Sequence, residues 1–360
     1  MNRIKELDGI RGIAIFLVLL WHYVFVIADV NIFNSQYGKY LDLFSLTWSG
    51  VDLFFVLSGF LIVGILLEAR TAQNYFSTFY IRRALRILPL YFILIGLFLL
   101  LRNKISNDWL FSQNIKLWNY ITFTQNFLMP SNGFGANWLG VTWSLAVEEQ
   151  FYLILPLMIW FFPPKKLSYV FLYLICLAPI LRVIFDYLAA YVLPFARADS
   201  ILMGGLIAIV YKDLNFRKIL IENYWHLCGF FFVFFLGFIV CSFYLNDIGS
   251  PFLHFWLAIF YSLFILISIL QPGKIVRIVV SNQFFIWLGL RSYAIYLFHQ
   301  PVLGLVFQYL NKQIPPSFSN SRDFLAVGIS LIIVFILSEL SFRFFESVFL
   351  LYSKRFQYKN

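Results

Sequence analysis

Ten separate stretches of this chain are apolar for long enough to cross a lipid bilayer. They run roughly over 10–28, 45–68, 87–102, 140–163, 167–188, 197–211, 226–245, 252–271, 284–309 and 324–346. A bilayer core about 30 Å thick needs about 20 apolar residues in a helix. Inside that core each backbone amide must find its partner within the protein. The expected fold is therefore all-α and integral to a membrane, with about ten transmembrane helices in a single domain over residues 1–360. Two runs, 87–102 and 197–211, are short and extend into polar flanks to complete a crossing. Composition points the same way, with 61% hydrophobic and 12% charged residues. Soluble domains carry about 25% charge, so an ordinary soluble enzyme and a disordered chain are both excluded. The first run follows Arg3 and Lys5 without a small-residue cleavage motif, and reads as a retained anchor.

The net charge is +10, from 27 Lys and Arg against 17 Asp and Glu. With the N-terminus in the cytoplasm, eighteen of these cations fall on cytoplasmic segments, among them Arg3, Lys5, Arg11, Arg82, Arg83, Arg86, Lys274 and Lys354. Six fall outside: Lys39, Arg102, Lys104, Lys116, Lys312 and Arg322. That bias places both termini in the cytoplasm and removes nucleic acid as the reason for the charge. Cys176, Cys228 and Cys241 sit in apolar runs, with no metal-site or disulfide spacing; they read as core or lipid-facing. The longest outer connection, about 103–139, is polar, and its length suits a lid or binding segment.

Ionisable groups inside apolar runs are costly, and each is a functional hypothesis. Arg11 and His22 are eleven residues apart, about 16 Å along a helix, and return to nearly one face. Histidine is the side chain suited to proton transfer near neutral pH; the competing reading is a histidine bonded to a neighbouring helix. Counted inward from the outer end of its run, Glu148 lies about 12 Å deep, while His22 lies about 18 Å up from the inner end. In a 30 Å core these depths coincide. Glu148 and Glu149 cannot share a helix face; the competing reading is a structural ion pair. Arg83 and Arg86 share a face before the third run and suit phosphate through forked donors, or anchor the chain at lipid phosphates.

Asp52 lies near the outer end of its run, with Ser58 and Gly59 deeper, where small residues let backbones approach. Arg197 and Asp199, followed by Gly204 and Gly205, either pair with each other or hold a polar ligand. Arg182 and Asp186 read as an i,i+4 ion pair. His299 precedes Pro301, which frees a backbone carbonyl; His299 either satisfies that carbonyl or lines a cavity. Glu339, Arg343 and Glu346 read as a self-satisfied ladder. His226 and His254 have no evident company.

Taken together, these segments resemble the acyltransferase-3 family of bacterial membrane proteins. The family's Arg, ten residues, His pattern is matched by Arg11 and His22 within Leu7-Asp8-Gly9-Ile10-Arg11-Gly12. Its basic motif is matched by Arg83 and Arg86 before Pro89. Its Trp-Ser-Leu segment with Glu, any residue, Gln-Phe-Tyr is matched by Trp143 to Tyr152, which picks Glu148 over Glu149. Ser292 to Pro301 and Ser341 to Glu346 look like the late family segments. The resemblance covers nearly the whole chain and implies a ten-helix enzyme of the bacterial cytoplasmic (inner) membrane. Such an enzyme takes an acyl group, commonly acetyl, from cytoplasmic acyl-CoA. It passes the group to a hydroxyl of an exported or surface carbohydrate, such as O-antigen lipopolysaccharide or an exopolysaccharide, free or lipid-linked.

On that reading Arg83 and Arg86, with Arg11, hold the CoA phosphates. His22 is the general base, and Glu148 orients it or balances its charge. Asp52, Arg197, Asp199 and His299 contact the acceptor, and Trp138 and Trp143 stack on a sugar face. No metal and no permanently bound cofactor are expected; acyl-CoA is a substrate, and membrane lipids surround the chain. Some relatives carry a further C-terminal hydrolase-like domain, which is not expected here. With no activated Ser or Cys in sight, transfer is expected to be direct. The rival readings are a polytopic transporter or flippase, or the same fold with a succinyl donor or a non-carbohydrate acceptor.

Overall fold

The structure, a computed structural model, describes residues 4–28, 44–244, 251–270, 274–318 and 320–359. Arg3, Lys39 and the side chains of Cys241 and Lys274 lie outside the described residues. Cys176 is exposed and Cys228 half-buried, both as free thiols.

The long helices are α1 (Lys5–Leu20), α2 (Gly50–Ala69), α3 (Tyr75–Leu101), α4 (Trp143–Phe161), α5 (Pro164–Ile184), α6 (Ala198–Lys212), α7 (Tyr224–Tyr244), α8 (Leu253–Leu270), α9 (Gln283–Val306) and α10 (Ser321–Leu340). Among the described residues the one β pairing is an isolated bridge between Ala28 and Phe318. Among the described residues, seven helical stretches are long and apolar enough to cross a membrane. An eighth counts if Leu214–Glu222 and the start of α7, bent by 74°, form one span. Helix α6 has only 15 residues, about 22 Å of rise. The all-helical, membrane-type architecture read from the sequence is thus present.

Local chemistry sets several boundaries. Pro164 opens α5 at its first turn, where a missing N–H costs nothing. Asn320 and Asp323 form a reciprocal capping box at the start of α10. The polar connection after α3 is a series of short helices, Asp108–Phe111, Leu117–Ile121, Gln125–Asn132 and Asn137–Gly140.

The chain divides into two compact units. The first comprises Met1–Ala14, Ser49–Ala72 and Ser144–Gly289. Here α2 and α6 meet backbone to backbone. A Cβ on Gly59 would lie 1.8 Å from the Ile201 carbonyl oxygen, and one on Gly204 would lie 1.9 Å from that of Val56. The close approach expected at Gly59 is therefore made, with Gly204 as its counterpart on α6. Gly9 and Gly12 of α1 have the same relation to Val280 and Phe285.

The second unit comprises Ile15–Trp48, Gln73–Trp143 and Leu290–Asn360. Its helices are tied through backbone carbonyls: Tyr293 donates to Ile87 at 2.7 Å, Tyr296 to Val141 at 2.7 Å, and Trp138 Nε1 to Leu94 at 3.1 Å. Each bond satisfies a polar side chain inside apolar surroundings.

Candidate active site

In the second unit, regular α1 gives way after Leu20 to a single π-helical turn, Trp21–Phe25, in which the Val26 amide reaches the Trp21 carbonyl at 2.8 Å. Such turns are frequent at functional sites. His22 stands in this turn, half-buried, with Nδ1 2.9 Å from the Val18 carbonyl oxygen. A carbonyl only accepts, so Nδ1 carries the proton and Nε2 keeps the lone pair.

His299 of α9 is fully buried. Its Nε2 lies 3.3 Å from His22 Nδ1, and the two rings are tilted with centroids 4.8 Å apart. Its Nδ1 is 2.7 Å from the Tyr296 carbonyl. The carbonyl freed by Pro301 belongs to Leu297, four residues back, so His299 bonds a different one. Tyr23 donates to the His299 carbonyl at 2.8 Å. His22 and His299 are thus brought together by residues 277 apart in sequence.

Arg83 and Arg86 lie near the start of α3, in the same unit. Arg86 is exposed and Arg83 half-buried. The chain's last described residues run alongside. Asn74, just before α3, donates to the Gln357 carbonyl at 2.8 Å and accepts from the Lys359 amide at 2.8 Å. The Gln73 amide donates to the Lys359 carbonyl at 2.9 Å. Burial raises the Tyr358 hydroxyl above its ordinary range, with Arg82 and Arg83 pulling the other way.

Glu339 of α10 receives both Arg343, one turn on, and Arg291 of α9; Arg291 also covers the Phe342 ring at 4.8 Å. Beyond Leu340 the helix passes into a π turn, Ser341–Glu346, and Glu346 accepts from Ser341 at 2.8 Å. The expected ladder is therefore half kept: Glu339 and Arg343 pair, while the changed helical period turns Glu346 to Ser341.

The first unit holds a second set of charges. Arg197, at the head of α6, donates to Asp52 Oδ1 at 2.6 Å and bonds His254 Nδ1. Ser200 donates to the same Asp52 oxygen at 3.1 Å. Phe55 and Tyr191 each face the Arg197 guanidinium at 5.5 Å. Arg182 donates to Asp199 Oδ2 at 2.6 Å and to the Pro251 carbonyl at 2.7 Å. The side chains of all four ion-paired residues are closed to solvent. Two cations against two anions leave the cluster neutral, as burial requires.

The expected Arg182–Asp186 pair is not formed. Helix α5 ends at Ile184, and Phe185 is extended at φ −90, ψ 149, so residues 182 and 186 do not share a helix. Arg197 and Asp199 pair with Asp52 and Arg182 rather than with each other.

Also in the first unit, half-buried Glu148 accepts from Tyr152 at 3.3 Å, and Tyr152 bonds Ser58 of α2. Arg11 meets Asp8 at 3.5 Å within its own turn. Glu148 belongs to the first unit and His22 to the second. Trp138 and Trp143, both of the second unit, are buried, and Trp138 stacks on Phe111 at 5.2 Å.

Sequence reasoning missed the partners of His254, the Asn74 tie to the C-terminal residues, and Tyr23. His254 meets Arg197 over a separation of 57 residues, and no local pattern announces that. The buried charge of Arg197 was the available signal that a further polar partner had to exist.

The profile of a family described as "Acyltransferase domain" matches residues 4–339. A Staphylococcus aureus (strain COL) protein named "Putative O-acetyltransferase" is 28% identical, over 97% of this chain and 58% of its own length. The Bacillus subtilis (strain 168) protein named "Putative peptidoglycan O-acetyltransferase YrhL" is 28% identical, over 95% and 54%. "O-acetyltransferase OatA" of Staphylococcus aureus (strain NCTC 8325 / PS 47) is 26% identical, over 95% and 56%. The chain thus spans a little over half the length of these relatives. No solved structure matches it.

Proposed function

The chain belongs to the acyltransferase-3 family, and from that premise we propose that it transfers an acetyl group from acetyl-CoA to a hydroxyl of a cell-envelope carbohydrate. The observation that carries this reading is the bond between His22 Nδ1 and the Val18 carbonyl, 2.9 Å long. It leaves His22 Nε2 unprotonated on a half-buried ring, the form a general base needs.

His22 Nε2 takes the acceptor's hydroxyl proton while the oxygen attacks the thioester carbonyl. The C–O bond forms, the C–S bond breaks, and the proton passes from His22 to the departing sulfur. CoA leaves as the free thiol and His22 returns to its neutral state. Transfer is direct, with no acyl-enzyme. Arg83 and Arg86, on the unit that carries His22, bind the phosphates of CoA through charge-assisted bonds, and Arg11 is assigned to the same task. Glu148 balances charge during transfer. Asp52, Arg197, Asp199 and Trp143 are assigned to the acceptor side; His299 has no exposed surface with which to touch the acceptor.

The name of the Bacillus subtilis relative favours peptidoglycan as the acceptor class. The setting is the bacterial cytoplasmic membrane, with ten crossings and both termini inside. The test is purified protein in nanodiscs given labelled acetyl-CoA, with and without glycan acceptor. Label on the glycan that depends on His22 supports the reading. Label retained on the protein without acceptor would replace direct transfer by an acyl-enzyme. Movement of glycan across the bilayer with no ester formed would point to a transporter.

A further inference from the structure

The two histidines that meet in the second unit differ in exposure. His22 is half-buried, whereas His299 has no exposed surface. Their hydrogen bonds admit one neutral arrangement. Were His22 Nδ1 bare, its lone pair would oppose that of the Val18 oxygen at 2.9 Å, so this nitrogen carries a proton. His299 Nε2 lies 3.3 Å from it; a proton there would set two N–H groups against each other. His299 Nε2 is therefore bare. That assignment agrees with its other nitrogen, which needs a proton to donate to Tyr296 O at 2.7 Å. Both rings are thus neutral and protonated at Nδ1.

We propose that His299 is a positioning residue: its bare Nε2 shares the Nδ1 proton of His22 with the Val18 carbonyl oxygen and so steadies the imidazolium formed when His22 takes the hydroxyl proton. The proposal rests on His22 being the base. The proton from the hydroxyl goes to His22 Nε2 and on to sulfur; the Nδ1 proton stays on His22 throughout, and His299 gains and loses none. In hydrolytic triads a carboxylate holds this place behind the base. A neutral imidazole provides the acceptor without the cost of a second charge in an apolar segment. The Tyr296 carbonyl holds the ring through Nδ1 at 2.7 Å, and Tyr23 holds the His299 backbone by donating to its carbonyl at 2.8 Å. Being fully buried, His299 acts through His22.

The chain has four histidines, few enough to assign by single substitution in nitrogen-15 spectra of protein in lipid. The expected wild-type spectrum has His22 protonated at Nδ1 and His299 bare at Nε2. A protonated His299 Nε2 in the neutral resting protein overturns the proposal. Kinetics give the second arm. His299→Ala is expected to lower kcat by about 10²-fold, within the range of general-base contributions, with the KM for acetyl-CoA unchanged. His299→Gln, whose side-chain oxygen can accept the same proton, is expected to recover at least a tenth of the wild-type rate. His299→Ala within threefold of wild type, while His22→Ala is inactive, sinks the proposal and leaves the base assignment standing. Full activity in His22→Ala removes the base assignment itself. If His299→Ala does not fold, the wild-type spectrum and a His299→Gln variant inactive despite a wild-type melting profile each still decide against it.

Discussion

Arg182 donates to Asp199 across 2.6 Å rather than to Asp186, four residues further along its own chain. With Arg197 and Asp52 at 2.6 Å, it makes a neutral buried cluster whose members depend on one another.

That dependence predicts how substitutions behave. Removing one partner of a buried ion pair strands the other and costs about 3–5 kcal/mol. Arg197→Gln or Asp52→Asn alone should lower the melting temperature sharply in detergent, and the double variant should recover much of the loss. Transfer activity in the double variant then separates two roles. Activity restored with stability means the cluster holds the fold; stability without activity means these side chains serve the acceptor.

Helix packing offers a cleaner contrast. Gly59→Ala and Gly204→Ala push a methyl into a backbone carbonyl of the facing helix, and overpacking of this kind costs about 1–3 kcal/mol. Gly96→Ala and Gly328→Ala meet nothing within 4 Å and should melt at or above the wild-type temperature. Equal melting of all four would mean that α2 and α6 are further apart than described.

Much of this was legible beforehand. The apolar runs at α2 and α5 are plain because a bilayer tolerates few other patterns, and Gly59 announces close packing by its small size. What escaped was set by breaks in regular structure and by distant partners. Where α5 stops decides the partner of Arg182, and a termination at Ile184 turns on one extended residue, Phe185. The π turns at His22 and at Ser341 have no sequence signature of comparable strength. Nor does the meeting of His22 with His299, made by helices far apart in the chain.

At the start of α3, Arg83→Ala and Arg86→Ala should each raise the KM for acetyl-CoA about tenfold, the equivalent of one lost charge-assisted bond. kcat should hold, and the effect should shrink at high salt, more for exposed Arg86 than for half-buried Arg83, because screening acts most on exposed charge. Unchanged affinity would return both residues to anchoring the chain.

The residues that run beside them give a graded test. Asn74→Ala removes both side-chain bonds to residues 357 and 359. It should loosen this strap, measured as faster amide exchange at residues 356–359, and alter acetyl-CoA affinity less than either arginine substitution. A larger effect from Asn74 than from Arg83 would make the strap part of the donor site.

The central claim is that His22 takes the proton of the acceptor hydroxyl. It is tested most directly by acetyl transfer from labelled acetyl-CoA to a glycan acceptor, comparing wild type with His22→Ala in nanodiscs. The prediction is a loss of at least about 10²-fold in kcat, with melting temperature and acetyl-CoA affinity retained. A His22→Ala protein that transfers acetyl within threefold of wild type would contradict it.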